Sequence, residues 1–210
     1  GAQYGSKFQT AVDLIAKKDG FASVPIFLKT LTATSNPSLG VLISTGKDSW
    51  YAAWRMAQQD YPIKCMITLQ SKNPDSFMFH TPAVNLAKLQ SKASGIPLVS
   101  VKTEGKEEAE LSDLKKAFEE AKKRYNIEGI VSGAIHSSYQ RDRIERIADE
   151  CSLKIFAPLW HSDQANVLGE IIRLRFKAII TAIAADGLDE SWLGKVIDNN
   201  TKEALIALNK

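Results

Sequence analysis

Between residues 39 and 157, short apolar runs without alternation take turns with stretches of helical periodicity, and few architectures accept that rhythm. Val41-Leu42-Ile43, Cys65-Met66-Ile67-Thr68-Leu69, Leu98-Val99-Ser100-Val101 and Ile130-Val131 are short runs that, but for Thr68 and Ser100, carry apolar side chains at successive positions. Strands of that kind must be covered on both faces, which is the situation of a parallel sheet. The stretches between them read as helices. Leu111, Leu114, Phe118, Ala121 and Tyr125 recur at spacings of three and four, flanked by Lys and Glu. Ala83, Leu86, Leu89 and Ala93 form a second stripe, stopped by Gly95 and then Pro97. The alternation predicts an α/β fold built on a doubly wound parallel sheet, Rossmann-like in type.

The flanks are less regular. Residues 1–38 hold a predicted helix from Phe8 to Lys17 and end in Ala33-Thr34-Ser35-Asn36-Pro37-Ser38, which is turn and linker chemistry. No role is assigned to this extension. Residues 158–210 begin at Pro158-Leu159-Trp160. They predict a helix from Asn166 to Phe176, a strand from Ala178 to Ala184, a short helix after Asp189 and a last helix from Thr201. One strand with three helices makes a partial α+β region, expected to serve substrate binding beside the main domain of residues 39–157.

Composition narrows the function classes. Of 210 residues 44% are hydrophobic and 24% charged, enough apolar surface for a real core, which excludes general disorder and rod-like assemblies. No window approaches the ~18 apolar residues of a bilayer span, and the first residues lack the basic-then-apolar pattern of a secretory leader. Cys65 and Cys151 lie far apart within apolar runs, as reduced, buried thiols of a cytoplasmic protein do. A net charge of +3 is too small to argue for nucleic acid.

The chemistry concentrates in one turn. Directly after the first strand comes Ser44-Thr45-Gly46-Lys47-Asp48-Ser49, then a helix with Trp50, Tyr51, Trp54 and Ala57. A small-residue turn between strand and helix leaves backbone N–H groups at the strand's carboxyl end, where the helix dipole favours an anion. Lys47 adds a positive charge, and Ser44 and Ser49 add hydroxyls. Asp48 repels phosphate unless it orients the loop or helps to hold a metal ion. The turn is no Walker A loop: Gly40 and Gly46 enclose five residues, and Asp48, not Ser or Thr, follows Lys47. The dinucleotide fingerprint is absent from it too.

The hexapeptide resembles the pyrophosphate loop S-G-G-x-D-S of the ATP pyrophosphatases, which split ATP between the α and β phosphates. Further motifs narrow the likeness. They are Asp75-Ser76-Phe77-Met78-Phe79-His80-Thr81, then Glu128 through Ile135 with Ser137, Tyr139-Gln140, Arg143 and Glu145, then Pro158-Leu159-Trp160, and finally Gly187 through Gly194. In that order, over residues 40–210, they resemble the diphthine–ammonia ligase family in its archaeal form, with an adenine nucleotide alpha hydrolase-like sheet.

The resemblance implies a reaction and a set of roles. ATP activates the carboxylate of diphthine on translation elongation factor 2, and ammonia attacks the acyl-adenylate to give diphthamide, AMP and pyrophosphate. Ser44, Thr45, Gly46, Lys47, Asp48 and Ser49 would bind the β and γ phosphates, with Mg²⁺ at Asp48. Leu69 and Gln70 would border the adenosine, and Gly133 and Ala134 would let the nucleotide approach the backbone. Ser137, Tyr139, Gln140 and Arg143 would face the same sheet edge. Lys47, Asp48 and Arg143 are the expected catalytic residues, elongation factor 2 and ammonium the expected partners, and a homodimer the assembly allowed for.

Plainer readings stand beside these. Gly133 also suits a simple turn, Tyr139 and Gln140 a helix cap, and Arg143 with Glu145 a solvated pair. His80 reads as structural, and Trp160 and Trp192 as core. Two positions depart from the family. Thr45 stands where the loop's first glycine usually sits, and a β-branched residue disfavours positive φ. The family's Gly-Glu-Gly-Gly-Glu-Phe-Glu-Thr segment occurs nowhere in the 210 residues, so the expectation is ATP binding with poor amidation. The competing functions are a pyrophosphatase acting on tRNA, disfavoured by the lack of paired cysteines, and a truncated, non-catalytic nucleotide-binding module.

Overall fold

A computed structural model describes residues 36–71, 86–105, 107–135 and 137–208. The expected Phe8–Lys17 helix, the Asp75–Thr81 motif with His80, and Ala83 lie outside them. Five strands form one sheet: β1 (Leu39–Leu42), β2 (Ile63–Ser71), β3 (Leu98–Thr103), β4 (Gly129–Val131) and β5 (Lys154–Phe156). Their order is β3-β2-β1-β4-β5, and every pairing is parallel. The crossovers carry α1 (Lys47–Ala57), α2 (Ala87–Ser94), α3 (Glu107–Tyr125) and α4 (Ser138–Glu150). After β5 come α5 (Gln164–Arg173), a 3₁₀ turn (Glu190–Trp192) and α6 (Asn199–Leu208).

Period-two geometry sends successive side chains of β2 to opposite faces. Cys65, Ile67 and Leu69 enter a core with Leu111, Leu114, Phe118 and Ala121 of α3 and Ile144, Ile147 and Ala148 of α4. Met66 enters the other core, with Val41, with Tyr51, Ala52 and Met56 of α1, and with Val167 and Ile171 of α5. Helices therefore cover both faces, and the doubly wound sheet is as expected. The α3 stripe packs as its spacing requires: Leu114, Phe118 and Ala121 are fully buried. Gly95 closes α2 in the left-handed conformation at φ 72°.

Cys65 and Cys151 are free and buried. Burial pushes the Cys65 thiol up to about 12 and raises that of Cys151, so neither supplies a thiolate at neutral pH. Among the described residues, no helix is long and apolar enough to cross a membrane.

The predicted strand Ala178–Ala184 is not present. Among the described residues the run makes an isolated antiparallel bridge, Ile179 with Val196, flanked by Ile180 N–H to Lys195 O at 3.0 Å and Ile197 N–H to Ala178 O at 2.9 Å. An apolar run becomes a strand only beside a partner ladder, and the five-stranded sheet ends elsewhere, at β5. Trp192 is core, but Trp160 is only half-buried, with the Arg141 guanidinium 4.7 Å above its ring. The short element after Asp189 is the 3₁₀ turn, and Asp189 caps it by accepting from Ser191 N–H at 2.9 Å.

Candidate active site

β1 ends at mid-sheet, between β2 and β4, and the chain turns there into α1. Thr45 takes φ 64°, in the left-handed region. The turn thus demands the positive φ that glycine adopts freely and a β-branched residue adopts only under strain. Thr45→Gly is expected to raise the unfolding free energy by about 1 kcal/mol. The relieved strain (~1–3 kcal/mol) exceeds the additional chain entropy that glycine loses on folding (~0.4–1 kcal/mol). Urea denaturation checks it, and a loss of stability would show that the threonine side chain is itself supporting the turn.

Gly46 is the N-cap of α1, in extended geometry and with no side-chain cap. The first-turn N–H groups therefore face outward without a capping oxygen from that residue. Ser49, almost wholly buried, donates its hydroxyl to Gly46 O at 3.0 Å, and Ser44 Oγ lies 3.4 Å from Ser49 Oγ. Lys47 Nζ donates to both Asp48 oxygens, at 3.0 and 2.8 Å. Cation and carboxylate neutralise each other at the helix start, and with both side chains partly exposed the pair itself stabilises little.

Gly133, two residues past β4, lies against this helix start. A Cβ there would stand 2.8 Å from both Ser49 Cα and Ser49 N and 3.0 Å from Asp48 C. The backbone that Gly133 admits is that of the α1 start.

Between these loops lies a cavity of about 180 Å³ at the carboxyl ends of β1, β2 and β4. The strand order reverses there, at the switch point where doubly wound sheets take ligands. Ser44, Asp48, Ser49, Leu69, Gly133, Ala134 and Gln140 of the expected site line it. Thr45, Gly46, Lys47, Gln70, Ser137, Tyr139 and Arg143 do not. Gln70 is half-buried in β2. Ser137 is the N-cap of α4, accepting from Gln140 N–H at 3.3 Å. Arg143 stacks on Tyr139, its guanidinium carbon 3.5 Å from the ring centre. The pair expected between Arg143 and Glu145 is made by Arg141, whose Nε donates to Glu145 at 2.6 Å.

Sequence reasoning missed three contributors. Thr68 and Ser132, both buried, line the cavity, and a small polar residue inside an apolar strand run was the available signal. Gln90 of α2 is the third. It donates to Thr45 O at 3.1 Å and accepts from Trp50 Nε1 at 2.9 Å, and nothing in a lone helical glutamine announces that. Among the described residues, no group of three or more His, Cys, Asp or Glu could hold a metal ion, and Asp48 is the acid among the cavity-lining residues.

Residues 38–155 match the sequence family described as the diphthamide synthase N-terminal domain, and residues 163–210 the diphthamide synthase C-terminal domain. The mouse protein named diphthine–ammonia ligase is 32% identical over 178 residues, covering 76% of this chain and 67% of that protein. Its human namesake is 32% identical over 194 residues, covering 82% and 71%. A solved structure described as a predicted subunit of a tRNA methyltransferase from Methanocaldococcus jannaschii covers 82% of this chain and 87% of that one, at 16% identity and a TM-score of 0.46. Two successive domains of one enzyme family are thus matched in order along the sheet and the region after it, and the chain belongs to the diphthamide synthase family.

Proposed function

We propose that the chain amidates diphthine on translation elongation factor 2, using ATP and ammonia, in the cytoplasm. The observation that carries this reading is the position of the α1 N-terminus. Without a side-chain cap and flanked by Ser44 and Ser49, it forms one wall of the switch-point cavity in a member of the diphthamide synthase family. Helix N–H groups, two hydroxyls and a lysine are the donor set that a polyphosphate requires. At about 180 Å³ the cavity is smaller than the ~300–1,000 Å³ of most ligand pockets, so it suits one part of a nucleotide rather than the whole.

In this reading residues 39–157 hold the nucleotide, and residues 158–210 contribute to positioning the protein substrate. The diphthine carboxylate oxygen bonds to the α-phosphorus while the bond to the bridging β-phosphate oxygen breaks, and pyrophosphate departs. Ammonia then bonds to the acyl carbon, AMP leaves with the former carboxylate oxygen, and the surplus proton passes to solvent. The enzyme needs no nucleophile of its own. Its residues bind and orient, and Lys47, released from Asp48, meets the phosphate charge. A single carboxylate does not make a resident metal site, but it fits Mg²⁺ arriving on the phosphates, with Asp48 as the protein's ligand. Mg²⁺ would supply neutralisation of phosphate charge.

The test is product identity. Incubation with Mg-ATP, ammonium and elongation factor 2 bearing diphthine should yield AMP, pyrophosphate and an amidated acceptor, resolved by chromatography and mass spectrometry. ADP as the only nucleotide product would defeat this reading.

A further inference from the structure

We infer that Gln90 is a positioning residue, which sets the direction of the Gly46 N–H by holding the peptide after Thr45 against α2. The inference rests on the ATP site proposed above and adds a residue to it from an element that supplies none of the cavity's lining.

The geometry is that of a stitch. One side-chain amide spans two points of the loop. Its Nε2 donates to Thr45 O at 3.1 Å, and its Oε1 accepts from Trp50 Nε1 at 2.9 Å. The indole can only donate and the carbonyl can only accept, so the amide's orientation is determined by its partners. A trans peptide points its C=O and the following N–H in opposite directions. Anchoring Thr45 O toward α2 therefore turns the Gly46 N–H away from α2.

The stitch is needed because the peptide that it holds can turn. Its far side is Gly46, at φ −83°, and glycine accepts most other values of φ. Rotation of the 45–46 peptide changes ψ of Thr45 and φ of Gly46, leaves φ of Thr45 where it is, and would turn a carbonyl oxygen toward the side where the N–H now points. An anion attracted by the donor would be repelled by the acceptor. Gln90 is bonded both to that peptide and to the first turns of α1, and so fixes its orientation. The side chain must offer a donor and an acceptor at once, at the length of glutamine. Glutamate offers acceptors alone and would set an oxygen against Thr45 O; methionine offers neither bond at similar size.

The test uses the full chain, with Mg-ATP titrated by calorimetry and amide exchange followed over residues 44–50 in the free protein. Gln90→Met is expected to weaken ATP binding about tenfold and to speed exchange in the loop. Gln90→Glu should weaken binding further, and Trp50→Phe, which frees the amide from its second anchor, less. Thermal midpoints of the Gln90 variants should stay close to wild type, because the amide lies outside both cores, whereas Trp50 packs against one of them. Combining Gln90→Met with Trp50→Phe should cost no more than Gln90→Met alone, since both act through one stitch. Unchanged affinity and unchanged exchange in both Gln90 variants would overturn the inference. So would an affinity loss that merely tracks a lowered midpoint. A wild-type chain that does not bind ATP would defeat the proposed function instead, while loop exchange in the free variants would still decide whether Gln90 holds the peptide.

Discussion

Gly133→Ala is expected to cost about 3 kcal/mol of stability and to abolish tight nucleotide binding at the same time. The added methyl would sit 2.8 Å from Ser49 Cα and N and 3.0 Å from Asp48 C, all backbone atoms of the α1 start. No flexible side-chain tip can move aside, so either the β4–α4 loop or the helix must shift. Overpacking of this kind costs roughly 1–3 kcal/mol, and a backbone clash belongs at the upper end. In a domain of this size the loss corresponds to a fall of roughly 6–12 °C in the thermal midpoint. The same shift would part the two walls of the cavity, since Ser49 and Gly133 both line it. Scanning calorimetry with and without Mg-ATP checks both effects. A variant as stable as wild type would mean that the two loops do not meet as closely as described.

Lys47→Ala should weaken ATP binding by about 1.5–3 kcal/mol, roughly tenfold to a hundredfold in dissociation constant. Two effects add. The mutation removes the ammonium that would meet a phosphate, and it uncovers the Asp48 carboxylate that Lys47 now covers with hydrogen bonds of 2.8 and 3.0 Å. A bare carboxylate at the cavity wall then repels the incoming anion. With metal-free ATP, where Asp48 has no Mg²⁺ to hold, the double variant Lys47→Ala with Asp48→Asn should recover part of the loss, because it removes the repulsion without restoring the attraction. Isothermal titration would separate the two. Equal affinity in wild type and Lys47→Ala would place the phosphates elsewhere.

Much of the fold could be read from patterning because the patterns reflect burial on two scales. Residues 65–69 are apolar but for Thr68 because both faces of β2 are covered, and the stripe through Leu114 and Phe118 is apolar because α3 covers one of them. The run Ala178–Ala184 looks similar in sequence but meets no sheet neighbour, and Ile179 remains exposed. Strand formation depends on a partner that no local window reveals. The loop was legible for a different reason, since anion chemistry needs small residues, hydroxyls and a cation in one short segment. What lay beyond reading was the geometry joining distant segments. That Arg141, and not Arg143, takes Glu145 is a matter of helix phase. That Gln90 reaches back 45 residues to Thr45 is a matter of topology.

The strand order also sets a timetable for the nascent polypeptide. The loop after β1 is synthesised early, but the wall that completes its cavity belongs to β4. Ser38 N–H meets the Glu128 carboxylate 90 residues later in the chain, and Gly40 pairs with Ile130. Until that segment leaves the ribosome, β1 can pair with β2 alone and presents a bare edge to other chains. Such distant parallel pairing is slow to close, because the entropy of a long loop is lost before any contact returns it. A chain synthesised only as far as β3 would carry the loop after β1 with one side of β1 still unpaired. In such a chain the edge that β4 later covers is open to pairing with another strand.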